Sequence, residues 1–250
     1  LDRLQVQDVV TFTGSADTAA RLRVHPNLVR HAIPFNAEAD SLNCAVLAPD
    51  VGPDDEEFDL FVKEVAREMT VKAGQKCTAI RRAIVPRRHL DAVASRLRAR
   101  LAKVVVGDPA LESVRMGALA SHAQREDVGR RVAELMQEAA GVYGERDGFA
   151  PQGEGVSGGA FFAPTLLLAR DPMSARAAHD VEAFGPVSTL MPYDDLDEAL
   201  TLAARGQGSL VATLVTRDPR TAARFVPAAA ARHCDHADGD DGKDRDHGGD

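Results

Sequence analysis

The sequence predicts an α/β fold on a mostly parallel sheet, and three observations carry that prediction. Short apolar runs alternate with helical patterns along most of the 250 residues. Several of those runs are apolar at successive positions, as strands covered on both faces must be. Apolar residues make up 44% and charged residues 27%, enough to build a core and too balanced for wholesale disorder.

The elements follow in order. Residues 9–13 (VVTFT) read as a buried strand, broken by Gly14 and Ser15, and 17–24 as a short helix. Residues 42–47 (LNCAVL) form a second strand, with Cys44 in its core. Pro53 and the acidic run 54–57 open a helix, since both favour its positive end. Phe58, Phe61, Val65 and Met69 then recur at helical spacing, and Gly74 closes the segment. Residues 79–85 read as a strand stopped by Pro86. Leu90, Val93, Leu97 and Leu101 mark a helix over 89–103. Ser121 caps another, which carries Val128, Val132, Leu135 and Met136 and stops at Gly141. Ala199, Leu200 and Ala203 mark a further helix, followed by a strand over 210–215. Helices on both faces of one sheet are expected.

Composition excludes several functions. The formal net charge is −8, but residues 233–250 hold seven aspartates against Lys243 and Arg245, leaving 28 basic and 31 acidic groups elsewhere. With no basic surplus, no Trp and two Tyr, nucleic acid is not an expected partner. No run reaches the roughly 18 apolar residues of a membrane span. Three cysteines are too few and odd for a disulfide scaffold, which implies a reducing, cytoplasmic setting. Residues 233–250 hold too little apolar side chain to offset the entropy of ordering, so a disordered acidic tail is expected. His233, Cys234 and His236 could take a stray metal ion, but closely spaced ligands in a solvated tail do not amount to a metal site, and none is assigned.

Four features could carry chemistry. Cys77, in KAGQKCTAI, sits on a connection between helix and strand, with Lys72, Lys76, Arg81 and Arg82 nearby in sequence. Adjacent cations favour a thiolate, although a free cysteine is more often a small buried apolar group. Glu38, ahead of the second strand, reads by default as a solvated loop carboxylate; partial burial, where desolvation raises the pKa towards a useful base, is the alternative. The strand–Gly14–Ser15–helix turn has the geometry that offers N–H groups to a phosphate, yet such turns are common. Glu182 and Phe184 stand beside a Gly-Pro turn that could be purely structural.

Together and in this order, FTGS at 12–15, Glu38, GQKC at 74–77, VVVGDP at 104–109, FFAPTLL at 161–167 and EAFGPV at 182–187 resemble the landmarks of the aldehyde dehydrogenase superfamily. The wording of 11–29, 33–47 and 67–86 is similar to a narrower branch, the aldehyde dehydrogenase domain of bifunctional ring-opening proteins of aerobic phenylacetate degradation. The resemblance implies NAD- or NADP-dependent oxidation of an aldehyde to an acid, the aldehyde being a CoA-linked semialdehyde. It implies Cys77 as nucleophile and Glu38 as the base that hydrolyses the thioester. Cofactor contacts fall to Gly14 and Ser15 beside the pyrophosphate, Glu182 on the nicotinamide ribose and Phe184 against the nicotinamide. The Cys77 N–H supplies half of an oxyanion hole. A homo-oligomeric full-length parent is also implied.

Two departures matter. Asp40 and Ser41 stand where most members have two glycines, and Ala19 replaces a glycine, which could alter the cofactor's approach. The resemblance divides the chain into a remnant of the dinucleotide-binding domain (1–41), a catalytic domain (42–232) and the tail (233–250). Much of the cofactor domain is expected to lie outside these residues. Two alternatives therefore stand beside the oxidative reading: a catalytically incompetent fragment, and a CoA-acylating enzyme that needs no base.

Overall fold

A computed structural model describes residues 1–144, 149–206 and 209–234, side chains of 231–234 excepted. Two sheets organise the chain. The first is a parallel pair, β1 (Val10–Gly14) and β2 (Phe35–Ala39), in register from Val10 opposite Phe35 to Gly14 opposite Ala39. Helices α1 (Ala16–Arg23) and α2 (Pro26–Arg30) connect the two strands. The expected strand and helix are present, each shifted by one residue. β2 is an element that FNAEA, largely polar and exposed, does not announce.

The second sheet has six strands: β3 (Cys44–Leu47), β4 (Arg82–Pro86), β5 (Ala139–Tyr143), β6 (Thr165–Ala169), β7 (Val187–Tyr193) and β8 (Ala212–Val215). Their spatial order is β5-β6-β7-β4-β3-β8, and every pair is parallel except β5 with β6. Helices α3 (Glu56–Thr70) and α4 (Leu90–Leu101) pack on one face, with Ala45, Leu47, Ala83, Val85 and Leu190 beneath them. The other face presents Cys44, Val46, Ile84, Leu167 and Met191 to α5 (His122–Leu135), α6 (Ala177–Asp180), α7 (Leu196–Ala204) and α8 (Pro219–Cys234). The alternation of neighbouring residues between faces is the pleat itself. The mostly parallel sheet with helices on both faces is thus observed, and Cys44 is buried in it.

Local corrections have local causes. α3 begins at Glu56 with Asp55 as N-cap, because the Asp55 carboxylate instead accepts the Gly52 N–H at 2.7 Å; Pro53 lies before the helix. α5 ends at Leu135, and Gly141 belongs to β5, where it sits beside a register shift against β6. Pro86 is the last residue of β4 rather than its stop. Residues 153–159 contain a short 3₁₀ turn, Val156–Gly158. α8 extends to Cys234 and so takes in the first two residues of the tail expected over 233–250; the rest of it, His236 included, lies outside the described residues.

A buried cation, without a carboxylate partner among the described residues, locks α6 and α7 to the sheet. Arg82, 1% exposed, donates to the carbonyls of Leu42 (2.7 Å), Leu202 (2.6 Å) and Ala203 (3.0 Å). Its Nη1 also lies 3.1 Å from His179 Nδ1. Arginine can only donate, so His179 accepts at Nδ1 and donates from Nε2 to the Pro172 carbonyl at 3.0 Å. Burial, with Arg82 and Arg205 adding to it, holds the His179 pKa down at about 4 against the partial support of Pro172. The imidazole is neutral.

Candidate active site

The two sheets meet at a cavity of about 280 Å³. Its wall brings together every residue singled out from the sequence: Gly14 and Ser15, Glu38, Cys77, Glu182 and Phe184. Thr13, Asp40, Ser41, Gln124, Asp127 and Arg131 complete the polar lining.

Cys77 stands on the turn that leads into β4 and is exposed. The turn is held in shape from behind. Lys72 (φ 53°), Ala73 (φ 51°) and Gly74 (φ 69°) run consecutively through the left-handed region, at the close of a 3₁₀ turn after α3. Gly74 is required there, since a Cβ would overlap the Gly185 carbonyl as well as pay for its φ. The glycines of GQKC and FGP are therefore packed against each other. Arg81 staples the same two segments: Nη2 donates to Gly74 O and Nη1 to Gly185 O, both at 2.8 Å.

Three of the four sequence-adjacent cations are engaged elsewhere: Arg81 is committed to Glu182 and those two carbonyls, Arg82 donates to the Leu42 carbonyl, and Lys76 pairs with Glu68 at 2.6 Å. Among the described residues the Cys77 N–H has no hydrogen-bond acceptor.

Glu38 comes from β2, opposite Thr13 of β1. It is exposed, as the solvated reading has it, though it stands on a strand rather than a loop, and its two-stranded sheet is too thin to bury it. Glu182 behaves in the opposite way. Its side chain is 6% exposed, with Oε1 taking the Arg81 Nε–H at 3.1 Å and Oε2 the Ser41 N–H at 2.9 Å. Burial pushes its carboxyl above the usual range, and Arg81 with the Ser41 N–H pulls it part of the way back. Phe184 presents its ring to the Arg81 guanidinium at 5.4 Å, and its carbonyl takes the Gln124 amide at 2.9 Å.

Asn43 is the functional residue that sequence reasoning missed. It is 1% exposed, and its Nδ2 donates to Cys77 O (2.8 Å) and Ala79 O (3.1 Å). Its Oδ1 accepts from Leu210 N, Val211 N and Ser41 Oγ. The amide thereby ties the thiol's turn to the approach to β8. A lone amide inside the apolar run LNCAVL was the available signal, because a buried polar group must find partners.

The dinucleotide expectation can be tested on the donors present. Ser15 caps α1, its Oγ accepting the Thr18 N–H at 3.3 Å, and Asp40 Oδ1 takes the Ala16 N–H at 3.1 Å. The Asp17 N–H is left without an acceptor among the described residues. Glu182 and Phe184 face the same cavity. A carboxylate and a ring at the cavity, with an open amide at the start of α1 for an anion, are a set that a dinucleotide fits. Ala19 is buried and does not line the cavity.

A thiol on a turn at the edge of a doubly covered parallel sheet and a carboxylate lining the same cavity are the parts that covalent thioester chemistry uses. Residues 4–249 match the aldehyde dehydrogenase family, and the chain belongs to it. It is 48% identical over 233 residues to 3,4-dehydroadipyl-CoA semialdehyde dehydrogenase of Aromatoleum evansii, covering 93% of this chain and 45% of that protein. Among solved structures it is similar to aldehyde dehydrogenase C of Pseudomonas syringae, determined as a mutant with NAD+ and octanal (27% identity, TM-score 0.73, 89% of this chain and 43% of that one). It is also similar to betaine aldehyde dehydrogenase of Staphylococcus aureus (25% identity, TM-score 0.75, 89% of this chain and 42% of that one). The chain spans less than half the length of these relatives. Among the described residues, no helix is long and apolar enough to cross a membrane, and no cluster of potential metal ligands occurs.

Proposed function

We propose that the protein of which these residues form part oxidises an aldehyde to a carboxylic acid with NAD or NADP, through a covalent thioester on Cys77. The observation that carries the reading is the convergence of Gly14, Ser15, Glu38, Cys77, Glu182 and Phe184, from separate stretches of the chain, on one cavity. The division at residues 41 and 232 is part of the same reading: the β1–β2 unit contributes Gly14, Ser15 and Glu38, and the larger unit Cys77, Glu182 and Phe184.

The Cys77 thiolate bonds to the aldehyde carbon, and the resulting oxyanion lies within reach of the open Cys77 N–H. Bound NAD(P)+ supplies the hydride acceptor, held by Glu182, Phe184 and the Gly14–Ser15 turn. Loss of hydride leaves an acyl thioester on Sγ. Glu38, exposed to the cavity, takes a proton from the attacking water; the acid departs and the thiolate returns. A carboxylate so placed favours hydrolysis over transfer to CoA.

The CoA-linked semialdehyde is proposed from the name of the Aromatoleum relative, and the cytoplasm is the compartment where such a substrate and a free thiol coexist. A homo-oligomer is the proposed assembly of the full-length protein. The test is reduced-cofactor formation by the full-length protein with a CoA-linked aliphatic semialdehyde against the same semialdehyde free of CoA. A higher kcat/KM for the CoA-linked compound, abolished by Cys77→Ala, is expected. Equal turnover of both compounds would remove the CoA assignment, and turnover surviving Cys77→Ala would remove the mechanism.

A further inference from the structure

One short segment touches every part of the cleft. Residues 40–43 leave β2 two positions after Glu38 and enter β3, crossing from one sheet to the other. Along the way Asp40 binds the first amide of α1, Ser41 N–H binds Glu182, and Asn43 binds the carbonyl of Cys77. The segment is a strap, and its outermost buckle is Asp40.

Asp40 has φ +39°, a conformation that most side chains resist and that Gly, Asn and Asp tolerate best. That reversal lets Asp40 Oδ1 reach Ala16 N at 3.1 Å across the end of the β1–β2 pair. The partner amide follows the Gly14–Ser15 turn directly. The contact therefore fixes the end of β2 against the start of α1, and Glu38 stands on β2 two residues away. Asp40 and Glu38 both face the cavity, so the same carboxylate is also near enough to be mistaken for the base.

We propose that Asp40 is a positioning residue for the Glu38 carboxylate: its bond to the Ala16 N–H holds the end of β2 so that Glu38 serves water attack on the Cys77 thioester, and Asp40 itself moves no proton. The inference rests on the functional reading above. Its signature is selective. Bonding of Cys77 to a carbonyl does not depend on Glu38, so only the hydrolytic half of the cycle should respond.

An activated ester separates the halves without any dinucleotide. p-Nitrophenyl acetate acylates the thiolate, forming S–C as the ester C–O bond breaks and nitrophenolate leaves. Water then cleaves the thioester, its proton passing to the base. Burst and steady-state nitrophenolate release are measured for the parent chain, Asp40→Asn, Asp40→Gly, Glu38→Gln and Cys77→Ala. Asp40→Asn keeps both the acceptor oxygen and the tolerance of positive φ; Asp40→Gly keeps only the latter.

Asp40→Gly should keep the parent burst while its steady-state rate falls about tenfold, as expected for a misplaced catalytic group. Asp40→Asn should stay within about twofold of the parent in both phases. Three results overturn the proposal: a steady state in Asp40→Gly equal to the parent's, a burst that falls together with it, or an Asp40→Asn steady state as low as that of Glu38→Gln, which would make Asp40 the base. A parent chain without a burst, or Cys77→Ala with one, overturns the functional reading and this inference with it. A flat response confined to Asp40→Gly overturns the inference alone.

Discussion

The β1–β2 unit and the six-stranded unit are made from the same parallel pairing, yet they differ in what covers them. Every residue of β3, β4 and β7 is buried, whereas β1 and β2 have none that is fully covered. Val9, Val24 and Val29 of the smaller unit remain 58%, 70% and 66% exposed. A two-stranded sheet is marginal by itself, so the larger unit supplies the stability. The cleft uses both. The nucleophile's turn is pinned to the rigid side by Asn43 and Arg81, and the proposed base stands on the lightly held side. Rate and stability should therefore separate along this boundary, and the following substitutions break or sharpen that division.

The largest effect falls on chemistry alone. Cys77→Ala should abolish acyl transfer, by a factor of at least about a thousand, because no other group at the cleft can form the thioester. Its thermal midpoint should match the parent's, since the side chain is exposed. Phe58→Ala does the reverse. The ring is fully buried on the α3 face, and its loss should cost about 3–5 kcal/mol in urea unfolding.

The larger unit should also carry an acid sensitivity. The pKa of His179 is held at about 4 in the fold, against 6.5 for an unperturbed imidazole. A depressed pKa means the unfolded chain binds the proton first. The contribution is fully present above about 6.5 and is lost as pH falls from there through about 4, amounting to at most about 3 kcal/mol. Unfolding midpoints at pH 7 and pH 4.5 should differ less in His179→Gln than in the parent; an unchanged difference would contradict the assignment.

Smaller effects belong to the thin unit. Glu38→Gln should slow deacylation about a hundredfold and leave acylation and the unfolding midpoint in place. Phe12 stacks on Phe35 at 6.5 Å but is only half-buried, so Phe12→Ala should cost about 1 kcal/mol or less. A loss comparable to that of Phe58→Ala would show that the two units share one core after all.

Legibility from sequence followed the same division. β3 and β4 announce themselves because both faces are apolar, and α3 and α5 because their buried positions recur at helical spacing; β6 and β7 are not among the strands read from the sequence. β2 was not legible: its residues are mostly polar or small, and only its pairing with β1 makes it a strand. β5 was hidden because a glycine inside a strand reads as the end of a helix. At the cleft, residue types in order pointed to Cys77, Glu38, Glu182 and Phe184, since chemistry selects particular atoms. Hydrogen bonding was beyond reach: the bonds of Arg81 and Arg82 to distant carbonyls and the Asn43 hub arise from contacts between residues far apart in the chain. The Asp40 departure from glycine was visible, but only its φ of 39° and its bond to Ala16 explain what a side chain does there.

The pairing of thiol and carboxylate is tested most directly by the lifetime of the covalent adduct. Parent and Glu38→Gln chains, acylated with p-nitrophenyl acetate and mapped by peptide mass spectrometry, should both carry the acetyl group on Cys77. In Glu38→Gln it should persist about a hundred times longer than in the parent. An acetyl group on another residue, or equal lifetimes in the two proteins, would contradict the account.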